Sequence, residues 1–161
     1  MALAHLYKKP GHLIRRAQQI AVAIFMDECA AHDLTPVQYA ALIAIKDYPG
    51  IDATRLAGQI AFDRPTVGGV LERLEAKGLV ARRPAEADRR VKLLRLTDAG
   101  AKLLERVEGA VDRAQARILA PLLSRERAQL MALLTKLVDL ANDESRAPRM
   151  AALPKRARRQ P

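Results

Sequence analysis

The chain has 161 residues and a formal net charge of +10; half of it is apolar, yet it holds only three Tyr, two Phe and no Trp. That length suits one domain with a core of Ala, Leu, Val and Ile, a composition for helix packing. One cysteine excludes an intrachain disulfide framework, no apolar run approaches the roughly 18 residues that cross a membrane, and the opening MALAHLYKKPGHLIRR lacks the basic-then-apolar order of a secretory signal, so the expectation is a soluble cytoplasmic protein.

Pro10 to His32 reads as a long helix, with Leu13, Ala17, Ile20, Ala21 and Ile24 on one stripe and Pro10 in its first turn. DLTP stops it and starts a second helix, with Thr35 as N-cap, Pro36 as first helical residue and YPG ending it near Tyr48. A short helix follows over about Asp52 to Ile60. Asp63 caps the next one, where Val67, Val70, Leu71 and Leu74 recur at i, i+3, i+4 and i+7. After Gly78 the period changes. LVARRP and VKLLRLT are short runs rich in branched residues, separated by AEADRR, and they predict a two-stranded hairpin with a charged tip. Thr97 caps a long helix to about Ala120, Pro121 breaks it, and Ser124 caps a last helix with Leu130, Leu133, Leu134, Leu137 and Val138 on one stripe. From Ser145 onward Pro, Arg and Ala dominate, the composition of a disordered tail.

The predicted fold class is therefore mainly α with a small β-hairpin wing. A winged helix-turn-helix spans about 35–97, framed by helices at about 10–32 and 97–142, in a single domain of residues 1–144 followed by a basic tail, 145–161. The location of the charge agrees with this. Residues 145–161 carry six Lys or Arg and no acid, residues 53–97 carry ten basic groups against five acidic, and the rest is close to neutral. A basic segment around one motif plus a basic arm is the footprint of a nucleic-acid binder; for the tail alone, a solvated charged surface is the alternative.

Gly68 and Gly69 sit side by side inside the fourth helix, where each costs about 1 kcal/mol relative to alanine. On a helical wheel they lie away from the apolar stripe, with Arg64, Thr66 and Arg73 flanking the exposed face. The N-terminal part of a recognition helix is the part that enters the major groove. Bare backbone there lets the helix approach base edges and leaves its N-terminus open to a phosphate; a close helix–helix contact is the other common use of such a pair. The candidate DNA contacts are Arg55, Arg64, Pro65, Thr66, Gly68, Gly69 and Arg73 from the helices, with Asp88, Arg89, Arg90 and Lys92 from the hairpin. A tip arginine suits an adjacent minor groove, with Asp88 as the partner that holds one arginine extended.

The stretches TRLAGQIAFDRPTVGGVLERLEAKGLVARR and ADRRVKLLRLTDAGAKLL resemble the MarR transcriptional regulators. The Asp-Arg-Arg wing, the Leu-Thr-x-x-Gly entering the next helix and the Leu-Glu-x-Lys-Gly-Leu-Val-x-Arg ending the recognition helix carry the resemblance, which covers roughly residues 10–142. It implies a repressor that is a homodimer, joined through its first and last two helices, on a palindromic double-stranded operator. The basic tail lies outside the family pattern. The segment LYKKPGHLIRRAQQIAVAIFMDE is similar to a subgroup that controls the breakdown of aromatic acids, nicotinate-pathway repressors among them, which implies a small aromatic carboxylate, a hydroxylated pyridine or benzoate, as effector.

A carboxylate ligand needs a cation and a polar partner in a mostly apolar pocket. His12, Arg15, Arg16 and Gln19 lie within two turns of one helix, and Tyr7 and Tyr39 offer rings or hydroxyls; solvation or pairing across a dimer is the other reading of the arginines. Cys29 is a rival sensor by thiol oxidation, but Asp27 and Glu28 beside it oppose the lowered pKa that such chemistry needs, and a packing cysteine is favoured. A winged-helix protein-interaction module that does not touch DNA is a further reading, opposed by the glycine face and the basic wing. There is no HExxH, GxGxxG, P-loop or nucleophile elbow. His5, His12 and Cys29 match no metal-site spacing, so neither enzyme activity nor cofactor nor metal is expected.

Overall fold

In the computed structural model of the chain, which describes residues 3–153, four helices begin at a side-chain cap. After a single turn, α1 (Leu3–Leu6), the chain forms α2 (Pro10–Glu28), α3 (Pro36–Asp47), α4 (Ala53–Ile60), α5 (Arg64–Ala76), α6 (Asp98–Leu119) and α7 (Ser124–Leu140). At α3, Thr35 Oγ1 accepts from the Gln38 amide at 3.3 Å while Gln38 Oε1 accepts from the Thr35 amide at 3.1 Å, a capping box. This satisfies Gln38, which is buried. Asp52 accepts from the amides of Thr54 and Arg55, both at 2.9 Å, Asp63 from Thr66 at 2.9 Å, and Thr97 from Gly100 at 3.1 Å.

Three local features depart from the sequence reading. The first long helix ends at Glu28, and Ala30–His32 is a separate 3-10 turn closed by Asp33 in the left-handed region, φ 47°. Ser124 is the first helical residue of α7, not its cap; Leu123 occupies the cap position and its amide donates to the Glu126 carboxylate at 2.7 Å. The sheet has three strands, not two. A two-residue strand β1 (Ile51–Asp52) joins β2 (Val80–Pro84) and β3 (Lys92–Leu96) in the antiparallel order β1-β3-β2, with Ile51 and Arg82 both opposite Leu94. Two residues are too few for any alternation to reveal. Pro84 ends the edge strand β2, where its missing amide costs no ladder bond.

The core gathers Leu42 and Ile45 of α3, Leu56 of α4, Leu94 of β3, Val107 of α6 and the whole predicted stripe of α5: Val67, Val70, Leu71 and Leu74. The frame is different. α2 packs along α6, and the contact is pinned by Arg113 Nε to Glu28 Oε2 at 3.1 Å and by Arg117, which pairs with both Asp27 and Glu28. Outward, α2 exposes Leu13, Ile14, Ile20, Val22 and Met26, while α7 buries nothing and exposes Met131, Leu133, Leu134, Leu137, Val138 and Leu140. Residues 145–153, expected as disordered, form neither helix nor strand after the 3-10 turn Asn142–Glu144 but are tied to the domain: the Met150 amide donates to the Gly58 carbonyl at 2.8 Å. Residues 154–161 of that expectation lie outside the described residues.

Besides the packing of α3 on α2 and α6, a close backbone junction joins the winged module to the frame. α5 ends in a Schellman motif: the Leu79 amide bonds the Leu74 carbonyl and the Gly78 amide bonds the Glu75 carbonyl, both at 2.9 Å, with Gly78 at φ 68°. The next residues are then captured by the start of α6. Thr97 Oγ1 donates to the Gly78 carbonyl at 2.7 Å and the Thr97 amide to the Leu79 carbonyl at 3.1 Å. Gly100 lies so close that a Cβ built on it collides with the Leu79 carbonyl oxygen. This is the physical content of the Leu-Thr-x-x-Gly sequence. Gly100→Ala is expected to destabilise the fold by about 1–3 kcal/mol through overpacking against backbone, read as a drop in Tm of roughly 2–4 °C per kcal/mol. An unchanged Tm would show that the junction tolerates the methyl group.

Candidate nucleic-acid interface

The turn between α4 and α5 is made by Ala61, a non-glycine residue in the left-handed region at φ 53°, whose amide bonds the Ala57 carbonyl. The strain, about 1–2 kcal/mol, is held by the buried faces of the two helices. It brings Asp63 to the N-terminus of α5, where Oδ1 accepts from the Thr66 amide at 2.9 Å and Oδ2 from the Thr66 hydroxyl at 2.7 Å. These two bonds, the backbone one first, hold the Asp63 carboxyl below its usual range. The Thr66 hydroxyl proton is thus committed to Asp63, leaving its oxygen lone pairs to face outward.

Around this N-terminus Arg64 and Pro65 are exposed, and Gly68 and Gly69 follow on the same helix. A Cβ built on either glycine meets nothing within 4 Å. The helix–helix alternative therefore has no neighbour within the described chain, and the bare backbone faces open space. Arg73 continues the exposed side of α5. Arg55, on the first turn of α4, makes only a loose pair with Asp52 at 3.6 Å. Among the described residues no carboxylate lies within ion-pair distance of Arg64, Arg73, Arg89, Arg90 or Lys92.

The wing differs from its reading in one respect. Asp88 does not hold an arginine by its guanidinium; its Oδ1 accepts from the Arg90 backbone amide at 2.9 Å, and the Val91 amide closes onto the Asp88 carbonyl at 3.0 Å. This is an Asx-turn, which orients Arg90 through the backbone. Arg89, Arg90 and Lys92 are exposed at the tip and the start of β3. Two ion pairs that hold this surface have no place in the sequence reading. Arg82 Nε on β2 meets Glu75 Oε2 on α5 at 3.0 Å, bracing the wing against the recognition helix. Lys77 Nζ meets Asp33 Oδ2 at 2.7 Å, bracing the end of α5 against the turn before α3. Neither pair has a spacing that sequence periodicity detects; Lys77 and Asp33 are 44 residues apart.

The six candidate ligand residues divide. Tyr7, His12, Arg15 and Arg16, with Leu13, line one open hollow of about 440 Å³ on the outer face of α2. Gln19 joins them through Arg15, whose Nη1 donates to Gln19 Oε1 at 3.0 Å. Tyr7 stands edge-on to the His12 ring at 5.2 Å, and His12 Nε2 is buried without a hydrogen-bond partner among the described residues. Tyr39 is apart from this group on α3, its ring 6.0 Å from Phe25, with its hydroxyl pKa raised by burial and then by Asp112 and Glu108. Cys29 is fully buried, and burial, then Glu28, push its thiol pKa up against the opposing pull of Arg113. Such a thiol has little of the thiolate that oxidation requires.

Comparison with known proteins points to one family. The sequence model of the MarR family matches residues 34–92, which take in α3 to the start of β3. The HTH-type transcriptional repressor NicR of Pseudomonas putida is 33% identical over 129 residues, 80% of this chain and 82% of that protein. Bordetella bronchiseptica BpsR, whose structure was solved to explain regulation of its DNA binding by 6-hydroxynicotinic acid, superposes with a TM-score of 0.76 at 35% identity, over 82% of this chain and 94% of that one. The transcriptional repressor CouR, solved on a 23-mer DNA duplex, superposes with a TM-score of 0.77 at 29% identity, over 86% of this chain and 98% of that one.

The Asp63 cap carries a pH signature. Its folded pKa is lowered, so the cap contributes in full above the unfolded carboxylate value of about 3.9 and is lost as pH falls through the lower folded value. Asp63→Asn keeps an acceptor without the titration. Urea midpoints measured from about pH 5 downward are expected to fall more steeply for the native chain than for this variant. Parallel curves would mean that Thr66 does not hold the carboxylate in solution.

Proposed function

The chain belongs to the MarR family, and on that premise we propose that it works as a homodimer on a palindromic operator in the cytoplasm and is released by a small aromatic carboxylate. It is a MarR-type transcriptional repressor; the operator symmetry, the effector and the residues that serve them are the proposal. The observation that carries it is the glycine face of α5, open to solvent beside Arg64 and Arg73, which no carboxylate among the described residues pairs. Family membership argues against a module that never touches DNA, and the buried, protonated Cys29 argues against a thiol switch.

The mechanism follows from the parts. Arg64, Pro65, Thr66, Gly68, Gly69 and Arg73 present α5 to a major groove, with Arg55 on the flanking phosphates. Arg89, Arg90 and Lys92 carry the wing to the neighbouring minor groove, where Asp88 sets the approach of Arg90. Exposed apolar side chains on α2 and α7 support a second copy as their cover, because a helix with a solvent-facing apolar stripe needs a partner. Dimer geometry then sets the distance between the two α5 helices, which must match half-sites about 34–36 Å apart.

The effector reading rests on the hollow of Tyr7, His12, Arg15 and Arg16. An arginine there supplies a charge-assisted contact to a carboxylate, the Tyr7 and His12 rings supply apolar faces, and His12 Nε2 lacks a partner among the described residues. Tyr39 on α3, packed beside Phe25, does not line this hollow. The hollow sits on the frame, so an occupant shifts the equilibrium between frame geometries by its differential affinity for them. What the neighbours bind supports the class: 6-hydroxynicotinic acid is both aromatic and a carboxylic acid.

Three outcomes are expected. Gly68→Leu raises helix propensity by a few tenths of a kcal/mol up to about 1, so its Tm rises or holds while operator binding in a gel shift is abolished; normal binding would assign the glycines another use. Arg90→Ala leaves the fold intact and costs roughly 1–3 kcal/mol of operator affinity, measured by fluorescence anisotropy at moderate salt; unchanged affinity would remove the wing contact. Hydroxylated benzoates and pyridine carboxylates release operator from the native dimer. Arg15→Ala or Arg16→Ala weakens that ligand about tenfold to a hundredfold by calorimetry, which corresponds to one charge-assisted hydrogen bond of roughly 1.5–3 kcal/mol. An equal response of all three proteins would move the anchor elsewhere.

A further inference from the structure

The hydroxyl of Thr66 is fixed in polarity by the helix cap. Asp63 Oδ1 accepts from the Thr66 amide at 2.9 Å, and Asp63 Oδ2 accepts from the Thr66 hydroxyl at 2.7 Å. An ionised carboxylate has no proton to give, so the hydroxyl is the donor of that second bond. A threonine hydroxyl has one proton and two lone pairs. With the proton committed, Thr66 Oγ1 offers only an acceptor to anything outside the helix, and donation to a charged partner polarises it into a stronger one. To donate elsewhere it would give up a charge-assisted bond. The same two bonds hold the Asp63 carboxyl below its usual range, the Thr66 amide contributing most and the hydroxyl next, so the carboxylate stays ionised at neutral pH.

The helix leaves this acceptor uncovered. Helical side chains lean toward the N-terminus, so the groups that would lie over Thr66 come from positions 69 and 70. Val70 is buried in the core. Gly69 has no side chain, and a Cβ built on it meets nothing within 4 Å. Thr66 is accordingly exposed. Gly69 and Arg73, three and seven positions on, fall within about 60° of Thr66 around the helix, so the three share the outer face of α5. Gly69 thus does more than permit close approach: it uncovers Thr66.

Phosphate oxygens only accept, so a group that offers only an acceptor makes no bond to the DNA backbone. In the major groove the base donors are the N6 amino group of adenine and the N4 amino group of cytosine; guanine and thymine put the acceptors O6 and O4 in the corresponding places. We infer that Thr66, held by Asp63 and uncovered by Gly69, is a base-reading residue that accepts from the exocyclic amino group of an adenine or a cytosine and rejects the guanine or thymine that a transition would put there. The inference rests on the DNA-binding reading above and deepens it, turning one member of a contact surface into a specificity determinant. The sign of the preference is set by Asp63, which acts through Thr66 as a positioning residue.

The test selects duplexes from a randomised library with the full-length protein and with Thr66→Val, Thr66→Ser and Asp63→Asn, then measures affinities for pairs of duplexes that differ by one transition. For the native protein, one position in each half-site is expected to favour adenine over guanine, or cytosine over thymine, by roughly threefold to tenfold, the effect of one hydrogen bond. Thr66→Val keeps the shape without the hydroxyl and is expected to lose the preference at that position alone; Thr66→Ser restores it. In Asp63→Asn the side-chain oxygen still accepts from the Thr66 amide, but the side-chain nitrogen donates to Oγ1 and frees the hydroxyl proton to point outward. The preference at the same position is then expected to fall below about twofold or to reverse toward guanine or thymine. Circular dichroism and urea midpoints report whether each variant is folded; should Asp63→Asn unfold, the sign of the native preference at the position altered by Thr66→Val decides alone. The proposal is overturned if Thr66→Val selects the same bases as the native protein at every position, if the position it alters favours guanine or thymine in the native protein, or if folded Asp63→Asn leaves the preference unchanged. A native protein that selects no sequence overturns the repressor reading and this inference together. A clear operator in which no position responds to Thr66 overturns this inference alone.

Discussion

The Leu79 carbonyl is where the reading surface is joined to the frame. It receives the Thr97 amide and lies against the bare α-carbon of Gly100, while the Gly78 carbonyl one residue earlier receives the Thr97 hydroxyl. Three elements meet there: the end of α5, the start of the wing and the first turn of α6. Since α6 is packed along α2 and α3 also packs on α6, this contact acts with the α3–α6 packing to fix the glycine face and the wing tip relative to the frame. A frame that sets operator spacing has meaning only if the reading elements cannot swivel against it. Gly78 supplies the left-handed turn without the strain a side chain would add, and Gly100 the close approach, which a Cβ would block.

The recognition helix gives up stability at its surface and recovers it at its ends and underside. Two adjacent glycines weaken the interior by about 2 kcal/mol relative to alanine. Against that stand the Asp63 cap, Pro65 in the first turn, the Schellman closure at Gly78 and four buried apolar side chains. The ion pairs of Arg82 with Glu75 and of Lys77 with Asp33 then fix the helix from two sides. Being exposed or half-exposed they add little stability; their effect is on orientation. The result is a helix whose outer face is left without side chains at its two glycines while its position is over-determined, which is the arrangement that close approach to a groove requires.

Much of this is legible in the chain because local physics writes it there. Caps at Thr35, Asp63 and Thr97 mark helix starts through a single short side chain, and the four-residue stripe of α5 marks its buried face. What escapes a reading of the sequence depends on partners distant in the chain. The strand Ile51–Asp52 exists only because β3 lies beside it. The charge of Asp88 suggests an arginine's partner, yet the turn geometry gives its carboxylate to a backbone amide. The composition of segment 145–153 suggests disorder; no periodicity announces that Met150 fits a notch made by the absent side chain of Gly58. Residue type alone groups Tyr39 with the ligand residues, and packing against Phe25 sets it apart.

The frame completes the molecule's design. Its outward apolar residues on α2 and α7 support the proposed second copy, and His12 Nε2, without a partner among the described residues, supports the proposed ligand hollow. The central claim is that two copies, held at one fixed separation, read DNA with α5 in the major groove and the wing in the minor groove. Hydroxyl-radical footprinting of the protein on the DNA upstream of its own gene tests this most directly. The predicted result is two symmetric protected patches centred about 10–10.5 base pairs, one helical turn, or a multiple of it apart, each extended on its outer side by a minor-groove patch that the Arg90→Ala protein fails to protect. A single unpaired patch, or flanks indifferent to Arg90, would contradict it.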